Sequence, residues 1–204
     1  KPGCYINIII FCFYFLYFLD CNQWIGIFLF FLTKLIFMRL LFSVLFNIFS
    51  VSLYSQNNNI IEDIDLHIEK YNTAALNIWN YAEVGYKEKK SSEELISLLE
   101  SEGFIIKRGV VGIPTAFTAE YNNGGSVIGI LGEYDALPGL SQTTDLLKKE
   151  RKGVSAGHAC GHNLFGVASV AAAIAVKNWL KNTNTKGTVR FYGCPAEEGG
   201  SGKV

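Results

Sequence analysis

Cysteine is too scarce in this chain to staple a fold. Five occur in 204 residues, and Cys4, Cys12 and Cys21 all lie in an apolar N-terminal stretch. Cys160 and Cys194 are left for everything after it, which argues against a disulfide framework and for chemistry or core packing. Charge of either sign is almost missing from residues 1–56, where Lys1, Asp20, Lys34 and Arg39 are the whole set. Taking those three cations and one anion from totals of 18 and 18 leaves 15 basic and 17 acidic groups in residues 57–204. A balance so near neutral, with no basic patch, gives nucleic-acid binding no support. Internal repeats and low-complexity linkers are missing too, and 204 residues suffice for one domain with a sizeable core.

Unbroken apolar runs are present but short. Residues 5–19, 24–37 and 40–54 each fall below the roughly 18 to 20 residues of a membrane span. The only methionine, Met38, is followed by Arg39, an apolar run over 40–51, and then Ser52-Leu53-Tyr54-Ser55-Gln56. A positive start, an apolar middle of about a dozen residues and a small-residue exit match a secretory signal peptide. The expectation is that Met38 is the start, that residues 1–37 are translated upstream sequence, and that 38–56 direct export. The alternative is a membrane hairpin or anchor. If neither applies, the protein is expected in the cytoplasm.

After a polar hinge at Gln56-Asn57-Asn58-Asn59, residues 60–81 carry Ile61, Ile64, Ile68, Tyr71, Ala75 and Ile78 at helical spacing. A second helix is expected over 92–102, with Leu95, Leu98 and Leu99 on one face. Ser91 or Ser92 is its expected N-cap, Glu94 completes a capping box from Ser91, and Gly103 is its stop. Residues 115–121 alternate like a strand, Asn122-Asn123-Gly124-Gly125 reads as a turn, and 127–131 is an apolar run. The two runs predict a hairpin whose second strand is buried on both faces. Residues 138–154 are polar and loop-like, and the charge run at 148–152 reads as a solvated surface. A small-residue apolar helix is expected over 164–180 and a strand over 187–193. Strand, loop, buried helix and strand make a βαβ unit, so the fold class is α/β, a central sheet flanked by helices.

Two short runs carry the chemistry. Gly157-His158-Ala159-Cys160-Gly161-His162-Asn163 sets a thiol and an imidazole two residues apart. Such a pair reaches one ion from an irregular loop or a helix's first turn, and the flanking glycines allow that loop. Cys194-Pro195-Ala196-Glu197-Glu198-Gly199-Gly200 adds two adjacent carboxylates at the end of a strand. In extended backbone these project to opposite sides, so one can bind a metal while the other faces a water. Each run alone reads more simply, as a satisfied core His and Cys or a solvated acidic turn. Their combination is the donor set of a metal-assisted hydrolase, zinc or manganese being the metals that suit it. Asp135, at the end of a further strand in Gly132-Glu133-Tyr134-Asp135, is placed to orient a ligand or tune the base.

The runs 132–142, 157–164 and 187–203 resemble the amidohydrolase branch of the aminoacylase/carboxypeptidase metallopeptidases. Weaker likeness starts near Trp79 and includes 109–116, so the resemblance covers about residues 60–204. It implies the N-terminal part of a catalytic domain with two divalent ions, Zn or Mn, over 57–204. Carried over by position, it makes Cys160, His162 and Glu198 metal ligands and Glu197 the general base; Asp135 is a catalytic candidate from its strand-end position. Where the wider family has a ligating His this chain has Glu133, which is given no role. The implied activity is hydrolysis of the amide of an N-acyl or N-aroyl amino acid. A dipeptidase, or an inactive metal-binding relic, is the alternative. The expected partners are a small-molecule amide substrate and, through a lid domain lying beyond Val204 with further His ligands, a second subunit, giving a homodimer or hetero-oligomer.

Overall fold

The computed structural model describes the backbone of residues 21–204 and the side chains of 30–47 and 60–204. The apolar run 5–19, with Cys4 and Cys12, lies outside the described residues. The chain divides into two units, 1–57 and 58–204. In the first, the runs 24–37 and 40–54 belong to one helix, α1 (Cys21–Leu66). Its stretch Phe30–Asn47 has a mean hydropathy of 1.7 over 18 residues and none of it is buried.

In the second unit the helix expected over 60–81 is broken once. The His67 ring nitrogen Nδ1 takes the Asp63 carbonyl at 2.8 Å, the acceptor its own backbone N–H would use in a continuous helix. That N–H turns to Ile64 instead, and α2 (Ile68–Tyr81) begins after the break. The next helix, α3 (Lys89–Ser101), starts earlier than the serines predict. Its cap is the Glu83 carboxylate, which accepts from the N–H groups of Lys90 and Ser91 and from the Ser91 hydroxyl at 2.9–3.1 Å. A carboxylate at that end also suits the helix dipole. Ser91 and Ser92 therefore sit inside the first turn, and Glu94 makes no capping box but accepts from Asn77 and Tyr81. Gly103, at φ +84°, ends the helix as expected.

The sheet corrects the predicted hairpin. Its order is β1 (Ile105–Arg108), β2 (Phe117–Asn122), β6 (Thr188–Cys194), β3 (Val127–Glu133). The last strand in sequence has slid between β2 and β3, antiparallel to the first and parallel to the second. The turn at 122–125 survives, but it wraps the start of β6: Asn123 N–H donates to the Gly187 carbonyl and the Thr188 hydroxyl to Asn122 Oδ1. Among the described residues β3 lies at one side of the sheet and is not buried on both faces. Val127, Ile128 and Leu131 are about half exposed, and only its end at Gly132 and Glu133 is buried. Two short strands, β4 (Leu137–Pro138) and β5 (Ala156–Gly157), pair across the loop between β3 and α4 (His162–Asn182).

The βαβ unit is present: β3, α4 and β6, with the two strands parallel. Both α3 and α4 pack on the sheet, and α2 packs on both. Val170, Ile174, Ile78, Leu95, Leu99, Phe117 and Phe191 form the shared core. A methyl group on Gly166 would stand 2.5 Å from the Glu133 carbonyl. The bare backbone there lets the first turns of α4 lie against the end of β3.

Candidate metal centre

Three elements end at one place. The parallel strands β3 and β6 finish side by side at Glu133 and Cys194, the end at which open α/β sheets put their sites. Past β3 come Tyr134 and Asp135; past β6, Pro195 breaks the ladder and Ala196, at φ +54°, turns the chain into a short helix, α5 (Glu197–Gly200). The first residue of α4 is His162, and Gly161 before it is left-handed at φ +87°. That conformation costs glycine little. It reverses the chain between Cys160 and His162, so both side chains face one point.

His162, 4% exposed, is held by a buried carboxylate. Its Nδ1 lies 2.9 Å from Asp135 Oδ1 and 3.2 Å from the Asp135 carbonyl, both acceptors. Nδ1 therefore donates, leaving the Nε2 lone pair for other work. Nε2 in turn faces Glu133 Oε2 at 3.2 Å and Glu197 Oε2 at 3.8 Å. Lone pairs that close need a proton or a cation between them. The other Asp135 oxygen accepts the Glu198 N–H at 2.9 Å, so one carboxylate orients both the imidazole and the acidic turn.

The donors fall into two overlapping groups whose atoms lie within 4.8 Å of one another: Cys160, His162 and Glu198, and Glu133, His162 and Glu197. Glu198 Oε1 is buried with no hydrogen-bond partner. A buried carboxylate oxygen without a donor is costly, and a cation shared with Cys160 and His162 would satisfy it. Thiol, imidazole and carboxylate are the donor types that zinc takes, so the residues fit a divalent ion. Around the group, Glu198 above all, then burial and the Glu197 and Glu133 carboxylates, raise the pKa of the exposed Cys160 thiol. A bound cation would reverse that field.

The acidic pair differs from its expected geometry. Glu197 and Glu198 occupy the first turn of α5 rather than extended backbone, so they do not project to opposite faces. They flank the imidazole instead, Glu197 toward Nε2 and Glu198 toward Nδ1, at 3.8 and 3.7 Å. His158 turns away: its Nε2 is 3.1 Å from the Ile78 carbonyl and it joins neither donor group. The Cys194 thiol is buried and donates to the Tyr192 carbonyl, and burial and Glu133 push its pKa up to about 11, which makes it core packing.

Three residues matter here that the sequence does not flag. Glu133 joins the second donor group. Lys203 places its Nζ 2.7 Å from Glu133 Oε1 and 3.2 Å from Glu197 Oε1. Glu88, fully buried, accepts from the Ala196 N–H at 2.7 Å and the Thr115 hydroxyl at 3.1 Å, and so pins the turn that carries the acidic pair. Beside Glu198 a cavity of about 300 Å³ opens, lined by Val84, Tyr86, Asp135 and Ala196 among others.

A sheet ending in a cluster of acid, thiol and imidazole donors is an arrangement that could hold a divalent ion. Residues 129–204, which include most of β3 and all of α4, β6 and the acidic pair, match the model of Peptidase family M20/M25/M40. Among curated relatives, a p-aminobenzoyl-glutamate hydrolase subunit of Escherichia coli K12 is 50% identical over 147 residues, covering 69% of this chain and 30% of the relative. Xaa-Arg dipeptidase of Mus musculus is 34% identical over 155 residues, covering 70% of this chain and 32% of the relative. This chain thus spans about a third of the length of the relatives it matches. A solved structure from methicillin-resistant Staphylococcus aureus, described as an aminohydrolase, superposes with a TM-score of 0.56 at 18% identity over 68% of this chain and 35% of that one, which supports the fold.

Proposed function

We propose that the protein hydrolyses the amide bond of an N-acyl or N-aroyl amino acid, p-aminobenzoyl-glutamate being the reference substrate. The observation that carries this reading is the buried Glu198 Oε1, which has no hydrogen-bond partner, beside Cys160 and His162, with a second carboxylate, Glu197, on the other side of the same imidazole. Cys160, His162 and Glu198 would hold a divalent ion, and Asp135 fixes the ring and the acidic turn. Bound there, such an ion would polarise a carbonyl and acidify a water so that it could attack at neutral pH. Glu197 takes the proton from the attacking water. The water oxygen bonds to the carbonyl carbon as that proton leaves, and when the carbon–nitrogen bond then breaks Glu197 returns the proton to the departing nitrogen.

Thiol and imidazole favour zinc, while four carboxylates admit manganese. A second ion would draw on Glu133 or on histidines outside this chain. The 34% identity to a dipeptidase keeps dipeptides as the second substrate class. The Escherichia coli relative is named as one subunit of a hydrolase, which supports a complex of more than one chain. The apolar 30–47 stretch, none of it buried, supports a role for residues 38–56 in export or anchoring.

The test is elemental analysis together with glutamate release from p-aminobenzoyl-glutamate, on protein expressed from the complete reading frame. Bound metal with turnover is expected, and Glu197→Gln should lower kcat by about 10²–10⁴-fold with metal still bound. Activity of that variant within a few-fold of the parent removes Glu197 as the base. Protein without metal removes the hydrolase reading.

A further inference from the structure

Around His162 stand four carboxylates, those of Glu133, Asp135, Glu197 and Glu198. Among the described ion pairs only one lysine or arginine touches any of them, and that is Lys203. The division of oxygens is regular. Glu133 and Glu197 each give Oε1 to the Lys203 ammonium, at 2.7 and 3.2 Å, and each turn Oε2 to His162 Nε2, at 3.2 and 3.8 Å. The ammonium and the imidazole thus grip the two carboxylates from opposite ends.

The backbone brings Lys203 there. Ser201 is left-handed at φ +49°, the Val204 N–H donates to the Ser201 carbonyl, and the Tyr86 hydroxyl holds the Gly200 carbonyl at 3.2 Å. Gly202 lies against the Pro195 carbonyl, where no side chain would fit. The turn after α5 is therefore folded back over the strand end.

We infer that Lys203 is a positioning residue for the reaction proposed above: by binding Oε1 of Glu197 and bracing it on Glu133, it aims Oε2 of Glu197 at the water. The inference rests on that reading of the site. The Lys203 and Glu197 side chains are 40% and 31% exposed, and an ion pair with that much solvent adds little to stability; the Glu133 side chain is 9% exposed, so any stability cost of losing Lys203 falls on that contact. What the pair supplies is geometry. Glu197 stands at the start of a one-turn helix with no other side-chain partner for Oε1 among the described hydrogen bonds. Misplacing a catalytic group by about 1 Å can cost on the order of 100-fold in rate.

The experiment compares parent, Lys203→Met and Lys203→Arg in metal-loaded protein from the complete reading frame. The readouts are kcat and KM on p-aminobenzoyl-glutamate, metal per chain, and thermal midpoint. For Lys203→Met the expected result is a fall in kcat of about 10- to 100-fold, with KM within about three-fold, metal unchanged and only a small drop in midpoint from the Glu133 contact. Arginine, able to bridge the same two oxygens, should recover most of the loss. An active parent with Lys203→Met within two-fold of it overturns the inference and leaves the hydrolase reading standing. A fall in kcat matched by lost metal or a collapsed midpoint also overturns it, since Lys203 would then be structural. A metal-loaded parent that turns over neither this substrate nor a dipeptide overturns the reading and the inference together.

Discussion

Glu88 shows how much of this site is decided by a residue that never touches the donors. Fully buried, it takes the Ala196 N–H just where Ala196 adopts its left-handed turn. Desolvation raises its carboxyl above the ordinary carboxylate range, against the pull of its hydrogen bonds. A raised folded value means that its contribution to stability is full below the ordinary carboxylate pKa and drains away as pH rises through the raised one. Glu88→Ala leaves the Ala196 N–H and the Thr115 hydroxyl without acceptors, at roughly 1–3 kcal/mol each. Urea unfolding of parent and variant should therefore show a loss that is largest at acid pH and narrows toward neutrality. A gap that widens with pH would contradict the sign argued here. At this scale the sequence exposes donors that lie within a few residues of each other: Cys160 with His162, and Glu197 with Glu198. It hides Glu88 and Lys203, which stand 108 and 70 residues from their partners Ala196 and Glu133. It hides Glu133 as well, which meets His162 only across the whole loop between β3 and α4.

Between elements, close approach matters more than intrinsic preference. Gly166 lies in the first turns of α4, where alanine would favour the helix by about 1 kcal/mol. Its added methyl would meet the Glu133 carbonyl at 2.5 Å and Leu95 at 3.2 Å, and the first of these is backbone that must shift. Overpacking of that kind costs about 1–3 kcal/mol, so Gly166→Ala should destabilise by roughly 1 kcal/mol net and move the end of β3 that carries Glu133. Chemical denaturation checks the first effect and metal affinity the second; a stabilised variant would show that α4 can draw back freely. The βαβ unit is legible because α4 announces itself over many residues. The hairpin is not, because adjacency in sequence says nothing about a strand arriving some 60 residues later, and β6 takes the hydrogen-bonding edges of both β2 and β3. Likewise the apolar run in β3 has the composition of a buried strand, and among the described residues only its end is buried. Burial on a second face depends on neighbours that local pattern does not encode.

For the molecule as a whole, the contrast lies between two kinds of apolar surface. In the second unit Ile78, Leu95, Leu99 and Phe191 are covered by helices and sheet. Over 30–47, by contrast, Phe31, Phe37, Phe42 and Phe46 are more than 65% exposed. A helix apolar on all sides calls for a bilayer, a translocation channel or removal from the mature protein. Our reading of residues 38–56 as an export signal takes the last two. It predicts that protein recovered from its native source has an N-terminus near Gln56, and that secretion carries it across the membrane. Mass spectrometry of the native N-terminus decides among the possibilities. A first residue close to 56 supports cleavage and export, and one at Met38 with membrane association supports an anchor. Any peptide from before Met38 shows that residues 1–37 belong to the protein, and then three apolar runs, not one, have to be housed in or against a membrane.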